Sequence, residues 1–353
     1  MKSQFELRAA NPGGFHSSDC NTTVYRSDHG RKATQLGHSG CSIRESPFAK
    51  AYAVASRTLS KAENFASEHG FEKSYGSYEA LLEDPEVHVI YNPLPNSLHC
   101  QWTIKALKAG KHVLCEKPLA DNAAQCKQMI TAAKRSRRLL MEAFMYRFHP
   151  QTRRIKELVT QGTLGEVRIV RAAFGFPLNQ EVPNVRLVEK LTGGCLMDVG
   201  CYCVNAIRNL FGAEPISVLA HATRGKTTRV DLTFAGTLIF SDHRVGMFNS
   251  SFQTALDWTV EIVGTEGRIF VPSPWKPNAQ LASFIVETRG EPKTIEVKDG
   301  GGIYHLEVEH FSRCILENQP LDLPPEDGLR NMAVIDALQE SARTARVVRV
   351  RRV

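Results

Sequence analysis

Between Tyr52 and Ala143, short apolar runs alternate with stretches of helical periodicity, and glycine, proline or capping residues punctuate the joins. Tyr52-Ala53-Val54-Ala55 reads as a buried strand, and Ser60 with Glu63 three residues on reads as a capping box opening a helix that Gly70 ends. A second helix is expected from Ser77 through Leu82, stopping before Pro85, and a strand over Val87–Tyr91. Asn92-Pro93-Leu94-Pro95 breaks that strand; Asn96 or Ser97 then opens a helix through Trp102 and Leu107 to Gly110. Val113-Leu114-Cys115, a helix from about Asn122 to Ser136, and a strand over Leu139–Ala143 complete the series. Strand-helix alternation at this spacing predicts a parallel, doubly wound sheet.

Beyond His149 the pattern changes. After a helix near Thr152 to Thr160, Val230, Leu232 and Phe234 alternate with Asp231 and Thr233, and Leu238 and Phe240 continue to a turn at Ser241-Asp242-His243-Arg244. A return strand is expected over Val245–Phe252, and a last helix over Asp327–Thr344. Antiparallel strands with this period of two keep one face on a core and free the other for solvent or a partner. The resulting division is a leader over 1–45, expected to lack fixed structure, a first domain over 46–147 and a second over 148–353.

Composition narrows the class. With 353 residues, 42% hydrophobic and 23% charged, the chain is of ordinary globular make-up and large enough for two cores. No apolar run nears the roughly 20 residues of a membrane-spanning helix, so no membrane role is expected. Nine cysteines, an odd number scattered along the chain, and an N-terminus without a secretory stretch point to a reducing cytoplasm. Cys195, Cys201 and Cys203 lack the paired spacing of a zinc site, so no metal is expected. Basic residues cluster at Lys134-Arg135-Ser136-Arg137-Arg138 and at Arg343, Arg346, Arg349, Arg351 and Arg352, within a net charge of +7. Neither cluster is interleaved with aromatics, which argues against nucleic acid as a partner.

Two motifs carry the chemistry. Glu116-Lys117-Pro118 follows the strand Val113–Cys115, at the carboxyl edge where open α/β sheets bind ligands. Gly193-Gly194-Cys195-Leu196-Met197-Asp198-Val199-Gly200-Cys201-Tyr202 places a carboxylate and a phenol four residues apart, on one helical face, behind glycines that allow close backbone approach. A lysine, a carboxylate and a tyrosine suit proton transfer coupled to hydride transfer, the chemistry of a nicotinamide-dependent oxidoreductase.

These motifs, with Asn92-Pro93-Leu94-Pro95-Asn96-Ser97-Leu98-His99, Glu142-Ala143-Phe144-Met145-Tyr146-Arg147-Phe148-His149-Pro150 and Glu307-Val308-Glu309-His310-Phe311, resemble the glucose-fructose oxidoreductase (Gfo/Idh/MocA) family. The likeness runs from about Ile43 to Val350 and is strongest to the branch of D-xylose and dimeric dihydrodiol dehydrogenases. It implies an N-terminal Rossmann domain, and a C-terminal α+β domain whose open, mainly antiparallel sheet pairs subunits into dimers or tetramers. It further implies that Lys117 and Tyr202 form the acid/base pair. The lysine's charge would favour a phenolate whose ordinary pKa of about 10 is too high for a base. Asp198 would orient substrate hydroxyls, with Phe144, Arg147, Asn184 and Arg186 shaping the substrate pocket. Asn92, Pro93, Leu94, Asn96 and His99 would line the dinucleotide beside Glu116 and Lys117, and the bond before Pro118 would be cis. A structural reading of Asn92-Pro93 as a turn, and of His99 as a helix-start residue bonded to backbone, stands beside this one. Where NAD-preferring folds place an acid, this chain has Ser56-Arg57, which suits a 2′-phosphate and so NADP over NAD.

The first forty-odd residues depart from the family. Counting back from Ser46-Pro47-Phe48, a glycine-rich turn is expected near 31–36, where Arg31-Lys32-Ala33-Thr34-Gln35-Leu36 stands. The strand before it, Val24 to His29, is too polar for the centre of a parallel sheet, so the first strand and phosphate loop read as degenerate. A frame-shifted leader accounts best for the low apolar content. A divergent loop and a catalytically impaired homologue, acting as a dimeric binding or scaffold protein, are the other two explanations.

Overall fold

The computed structural model of the chain describes residues 21–25, 48–278 and 281–353. Two compact units emerge: the first takes the chain up to Ala143 together with Tyr304–Gly328, the second Phe144–Ile303 with Leu329–Val353.

In the first unit, strands β1 (Asn21–Tyr25), β2 (Lys50–Ala55), β3 (Lys73–Tyr75), β4 (Val87–Asn92), β5 (His112–Glu116) and β6 (Leu140–Ala143) form one sheet in the order β3-β2-β1-β4-β5-β6. Every pairing is parallel. Ala53, Val54, Ile90, Val113 and Cys115 are fully buried, as strands covered on both faces require. The connecting helices are α1 (Leu59–His69), α2 (Tyr78–Glu83), α3 (Asn96–Lys108) and α4 (Ala123–Ser136). Local capping explains their ends. Ser77 accepts from the Ala80 amide and Asn122 from the Gln125 amide, while Gly70 closes α1 in the left-handed region. The capping box expected at Ser60 does not form: α1 starts at Leu59 behind Thr58, so Ser60 already lies inside the helix.

The polar first strand is placed otherwise than its sequence suggests. β1 lies at the centre of the sheet, laddered to β2 on one side and β4 on the other, because main-chain groups pair whatever side chains they carry. The turn expected near 31–36 lies outside the described residues.

In the second unit, a short turn (Met145–Phe148) and α5 (Pro150–Thr160) precede β7 (Val167–Gly175). A π turn (Leu196–Gly200) runs directly into α6 (Cys201–Phe211). Then come β8 (Ser217–Arg224), β9 (Asp231–Ile239), β10 (Val245–Ser251), β11 (Asp257–Gly264), β12 (Gly267–Val271), β13 (Leu281–Thr288) and β14 (Glu291–Lys298). With β15 (Val348–Arg349) they make a nine-stranded sheet in the order β14-β13-β12-β11-β7-β10-β9-β8-β15. All pairings are antiparallel except β7 with β10. Two helices close the chain, α7 (Ile303–Leu316) and α8 (Pro325–Thr344).

The division differs from the expected break between 147 and 148 in two respects. Tyr146 donates to Asn205 on α6 at 2.6 Å, which fastens the Met145–Phe148 turn to the second unit. Most of α7 returns to the first: the Arg313 guanidinium stacks over Phe48 at 4.6 Å, and Tyr304 and Glu307 feel the charge of Glu116.

Candidate active site

The parallel sheet brings three expected positions to one edge. Ser56 follows β2, Asn92 ends β4 and Glu116 ends β5, all at carboxyl ends. Ser56 is fully buried, and its hydroxyl has no hydrogen-bond partner although its amide donates to Tyr75 at 3.0 Å. Arg57 beside it is exposed. An orphaned buried hydroxyl next to an exposed guanidinium fits a phosphate-bearing ribose.

Lys117 stands on a loop held from several sides. Tyr91 on β4 donates a short hydrogen bond to Glu116 Oε1, and the Lys117 amide donates to Glu116 Oε2 at 3.3 Å. The Lys117–Pro118 bond is cis. The Leu119 amide donates to Glu142 Oε1 at 2.7 Å, from the buried end of β6. Gly328 lies so near this clasp that a Cβ there would fall 2.7 Å from Glu142 Oε2.

Asn92 and His99, expected on the dinucleotide, are both fully buried and bonded within the first unit. Asn92 is fully buried; its amide nitrogen reaches Thr103 Oγ1 at 3.1 Å, and its oxygen accepts from the Leu94 amide. His99 is also fully buried, with Nδ1 2.9 Å from the Pro118 carbonyl and Nε2 2.7 Å from the Leu94 carbonyl. Burial lowers its pKa against the pull of those carbonyls. Both ring nitrogens are thus engaged with main chain, and His99 ties the loop after β4 to the loop after β5. Pro93 and Leu94 are buried, and Asn96 opens α3 half-buried.

Glu307 and Tyr304 on α7 were not among the expected site residues. Burial first, and the charge of Glu116 second, hold the Glu307 carboxyl well above the usual range. Its Oε1 has no hydrogen-bond partner. Tyr304 is pushed up by the same two causes. The Glu-x-x-His-Phe stretch was legible as a motif, but nothing in the sequence placed it beside Glu116.

In the second unit, Tyr202 on α6 is 5% exposed and enclosed by rings: Phe144 at 5.1 Å, Phe174 at 5.4 Å, Trp275 at 5.8 Å and Tyr146 at 5.9 Å. Its hydroxyl reaches the Met145 sulfur at 3.2 Å, a weak acceptor. Arg147 donates to Asn205 Oδ1 at 3.1 Å, the same oxygen that Tyr146 uses. Phe144, Tyr146, Phe174 and Trp275 thus border Tyr202, while Arg147 and Tyr146 meet at Asn205.

Asp198 lies in the π turn, where the helix winds wider than α and carries Asp198 and Tyr202 to different partners. The Arg186 Nε donates a short hydrogen bond to Asp198 Oδ2, and both side chains are nearly buried. Asn184 caps the short turn of Arg186, accepting from its amide at 3.0 Å. The paired glycines do allow close approach: a Cβ on Gly193 would sit 2.4 Å from the Arg186 carbonyl oxygen, and Gly194 has φ +114°.

A cleft of about 480 Å³ opens elsewhere on this unit, lined by Asp231, Asp336, Arg224 and Arg229 among others. Neither Asp198 nor Tyr202 lines it. Among the described residues, no group of three or more His, Cys, Asp or Glu could hold a metal ion, and no helix is long and apolar enough to cross a membrane. The seven described cysteines are buried and unbridged.

Comparison with known proteins decides the lineage. The Oxidoreductase family, NAD-binding Rossmann fold, matches residues 34–144, and the GFO/IDH/MocA C-terminal domain matches residues 152–270. The chain belongs to the GFO/IDH/MocA oxidoreductase family. It is 41% identical over 298 residues to trans-1,2-dihydrobenzene-1,2-diol dehydrogenase of Xenopus laevis, covering 82% of this chain and 88% of that one. To D-xylose 1-dehydrogenase (NADP(+)) 2 of Haloferax volcanii it is 36% identical over 299 residues, covering 85% and 91%. The crystal structure of aldose-aldose oxidoreductase from Caulobacter crescentus superposes with a TM-score of 0.85 at 27% identity, covering 94% of this chain and 99% of that one. The chain is thus an oxidoreductase with a Rossmann NAD-binding domain. The family match begins at residue 34, ahead of the expected start near Ile43.

Proposed function

We propose that this oxidoreductase takes hydride from the hydroxyl-bearing carbon of a sugar, at C1 of a pyranose, or of a cyclic diol, and that it prefers NADP. The observation that supports the reading best is the setting of Tyr202. It is a nearly buried phenol walled by rings, with its hydroxyl 3.2 Å from the Met145 sulfur. Lys117 and Tyr202 form the acid/base pair in this reading: Tyr202 accepts the hydroxyl proton, and the lysine charge favours the phenolate. Arg186 and Asp198, bound to each other, offer donors and acceptors to vicinal hydroxyls. The rings of Phe144, Phe174 and Trp275 pack around Tyr202 and hold its phenol in place. A bound nicotinamide dinucleotide supplies the hydride acceptor. Ser56 and Arg57 favour NADP through the buried hydroxyl and adjacent guanidinium. The names of the two dehydrogenase relatives agree with a diol or sugar substrate, and that of the second with NADP.

The partner in this proposal is a second copy, through the open sheet. Leu219, Thr237, Met247, Arg171, Glu261, Phe270 and Ile285 lie directly across from one another on successive strands, so they share one face. Leu219, Phe270 and Ile285 are exposed there.

A panel of aldoses and cyclic diols assayed with NADP and NAD tests the reading. Tyr202→Phe and Lys117→Met are expected to lower turnover by roughly 10²-fold or more, with Tyr202→Phe still quenching NADPH fluorescence. A well-folded sample that binds no nicotinamide dinucleotide would point instead to the impaired homologue, which the glycine-free stretch Arg31–Leu36 favours.

A further inference from the structure

The π turn that carries Asp198 starts against an acid from a distant strand. Asp231, first residue of β9 and 7% exposed, accepts from the Leu196 amide at 2.7 Å through Oδ2. The Cys195 thiol lies 3.2 Å from the same oxygen and 3.3 Å from the Ser250 carbonyl. Burial, with the carboxylate beside it, keeps that thiol protonated and so a donor. Gly194 presses on the other oxygen: a Cβ there would fall 2.2 Å from Asp231 Oδ1. A carboxylate on the free amides at a helix start satisfies orphaned donors and meets the positive end of the helix dipole. Here it comes from 35 residues away in sequence, so it ties the turn to the sheet.

We propose that Asp231 is a positioning residue for the reaction: its carboxylate fixes where the helix begins, and with it the directions in which Asp198 and Tyr202 leave that helix. The assignment rests on the reading of Tyr202 and Asp198 given above. Asp231 touches neither side chain; it acts through the backbone of Cys195 and Leu196. Of the groups around it, Gly194 packs against Oδ1, and Arg224 is its register partner on β8.

Three measurements test this on the full-length protein. Asp231→Ala is expected to lower kcat on the order of 10²-fold, the cost of a small misplacement of reacting groups, while NADPH affinity by fluorescence stays within about twofold. Asp231→Asn keeps an acceptor for the Leu196 amide and is expected to recover at least about tenfold of that loss. Hydrogen exchange supplies a readout free of turnover. Peptides spanning 195–203 are expected to exchange faster in Asp231→Ala, with peptides of the dinucleotide unit unchanged. A folded Asp231→Ala protein with wild-type kcat, or with unaltered exchange over 195–203, overturns the assignment. So does an Asp231→Asn variant as impaired as Asp231→Ala. A wild-type protein inert toward every sugar and diol would instead strike the proposed function, leaving the exchange result to judge Asp231.

Discussion

Replacing Arg186 with methionine removes the guanidinium from Asp198 while keeping most of its stem volume. The surrounding backbone has its own supports: the Arg186 amide is capped by Asn184 at 3.0 Å, and its carbonyl accepts from the Gly194 amide at 2.9 Å. The change therefore removes the guanidinium with those backbone supports kept. The Arg186 and Asp198 side chains are 13% and 9% exposed, so the remaining carboxylate stays largely out of water. Removing one partner of a fully buried pair costs about 3–5 kcal/mol, and the residual exposure here reduces that to about 2–3 kcal/mol. For a domain of this size the loss is roughly 5–10 °C in Tm. Thermal and urea unfolding of wild type, Arg186→Met, Asp198→Leu and the double variant give the coupling directly. The double variant is expected to recover most of the stability, because apolar residues of similar volume replace a buried pair at little cost. It should remain impaired toward substrate, with the defect in KM and kcat rather than in NADPH binding. An Arg186→Met protein as stable as wild type, or a double variant no more stable than the single one, would refute the reasoning.

Three other outcomes follow from the structure. Ser56→Ala combined with Arg57→Ala is expected to weaken NADPH about tenfold or more, the worth of a charge-assisted hydrogen bond, and to leave NADH unchanged; paired titrations read the difference. His112, whose Nδ1 accepts from the Leu139 amide at 3.0 Å, has its pKa pushed down to about 3, by burial first and then by Arg138 and His88. The unfolded chain therefore binds this proton first, below about pH 6.5. The stabilising effect is whole above that pH and is lost as pH falls toward the folded value, about 2 kcal/mol by pH 5. His112→Gln should flatten that part of the stability profile, measured by urea unfolding between pH 7 and pH 5. If the proposed pairing holds, wild type is expected to sediment as a dimer and Phe270→Asp, on the open face, as a folded monomer; an unchanged sedimentation coefficient would discard the sheet as the interface.

The parallel half of the molecule was legible because its signals are local. Ser77, Gly70 and Asn122 act within a turn of where they stand, and buried strands announce themselves as apolar runs. Asn92 and His99 show where local reading stops. Their motif was plain, yet whether a side chain turns to a ligand or to the Leu94 and Pro118 carbonyls depends on how two loops meet. β1 went the opposite way, since its place rests on backbone pairing that polarity does not reveal. The return of α7 to the first unit, and the reach of Asp231 to Leu196, are contacts between residues far apart in the chain, which periodicity does not encode.

The parallel pairing of β7 with β10, inside an otherwise antiparallel sheet, has an evolutionary consequence. Both strands finish at the same rim, and the chain leaving β7 is stitched to its neighbour by Phe176 on the Ser251 carbonyl at 3.0 Å and Leu178 on the Phe252 carbonyl at 2.9 Å. Past that stitching, residues 179–183 are exposed and lead straight to Asn184 and Arg186. Under the proposed function, lengthening or rewriting this segment changes which substrates are admitted while the root, the strands of the sheet and the helix with Tyr202 stay as they are. Diversification of this scaffold should therefore collect between 179 and 183.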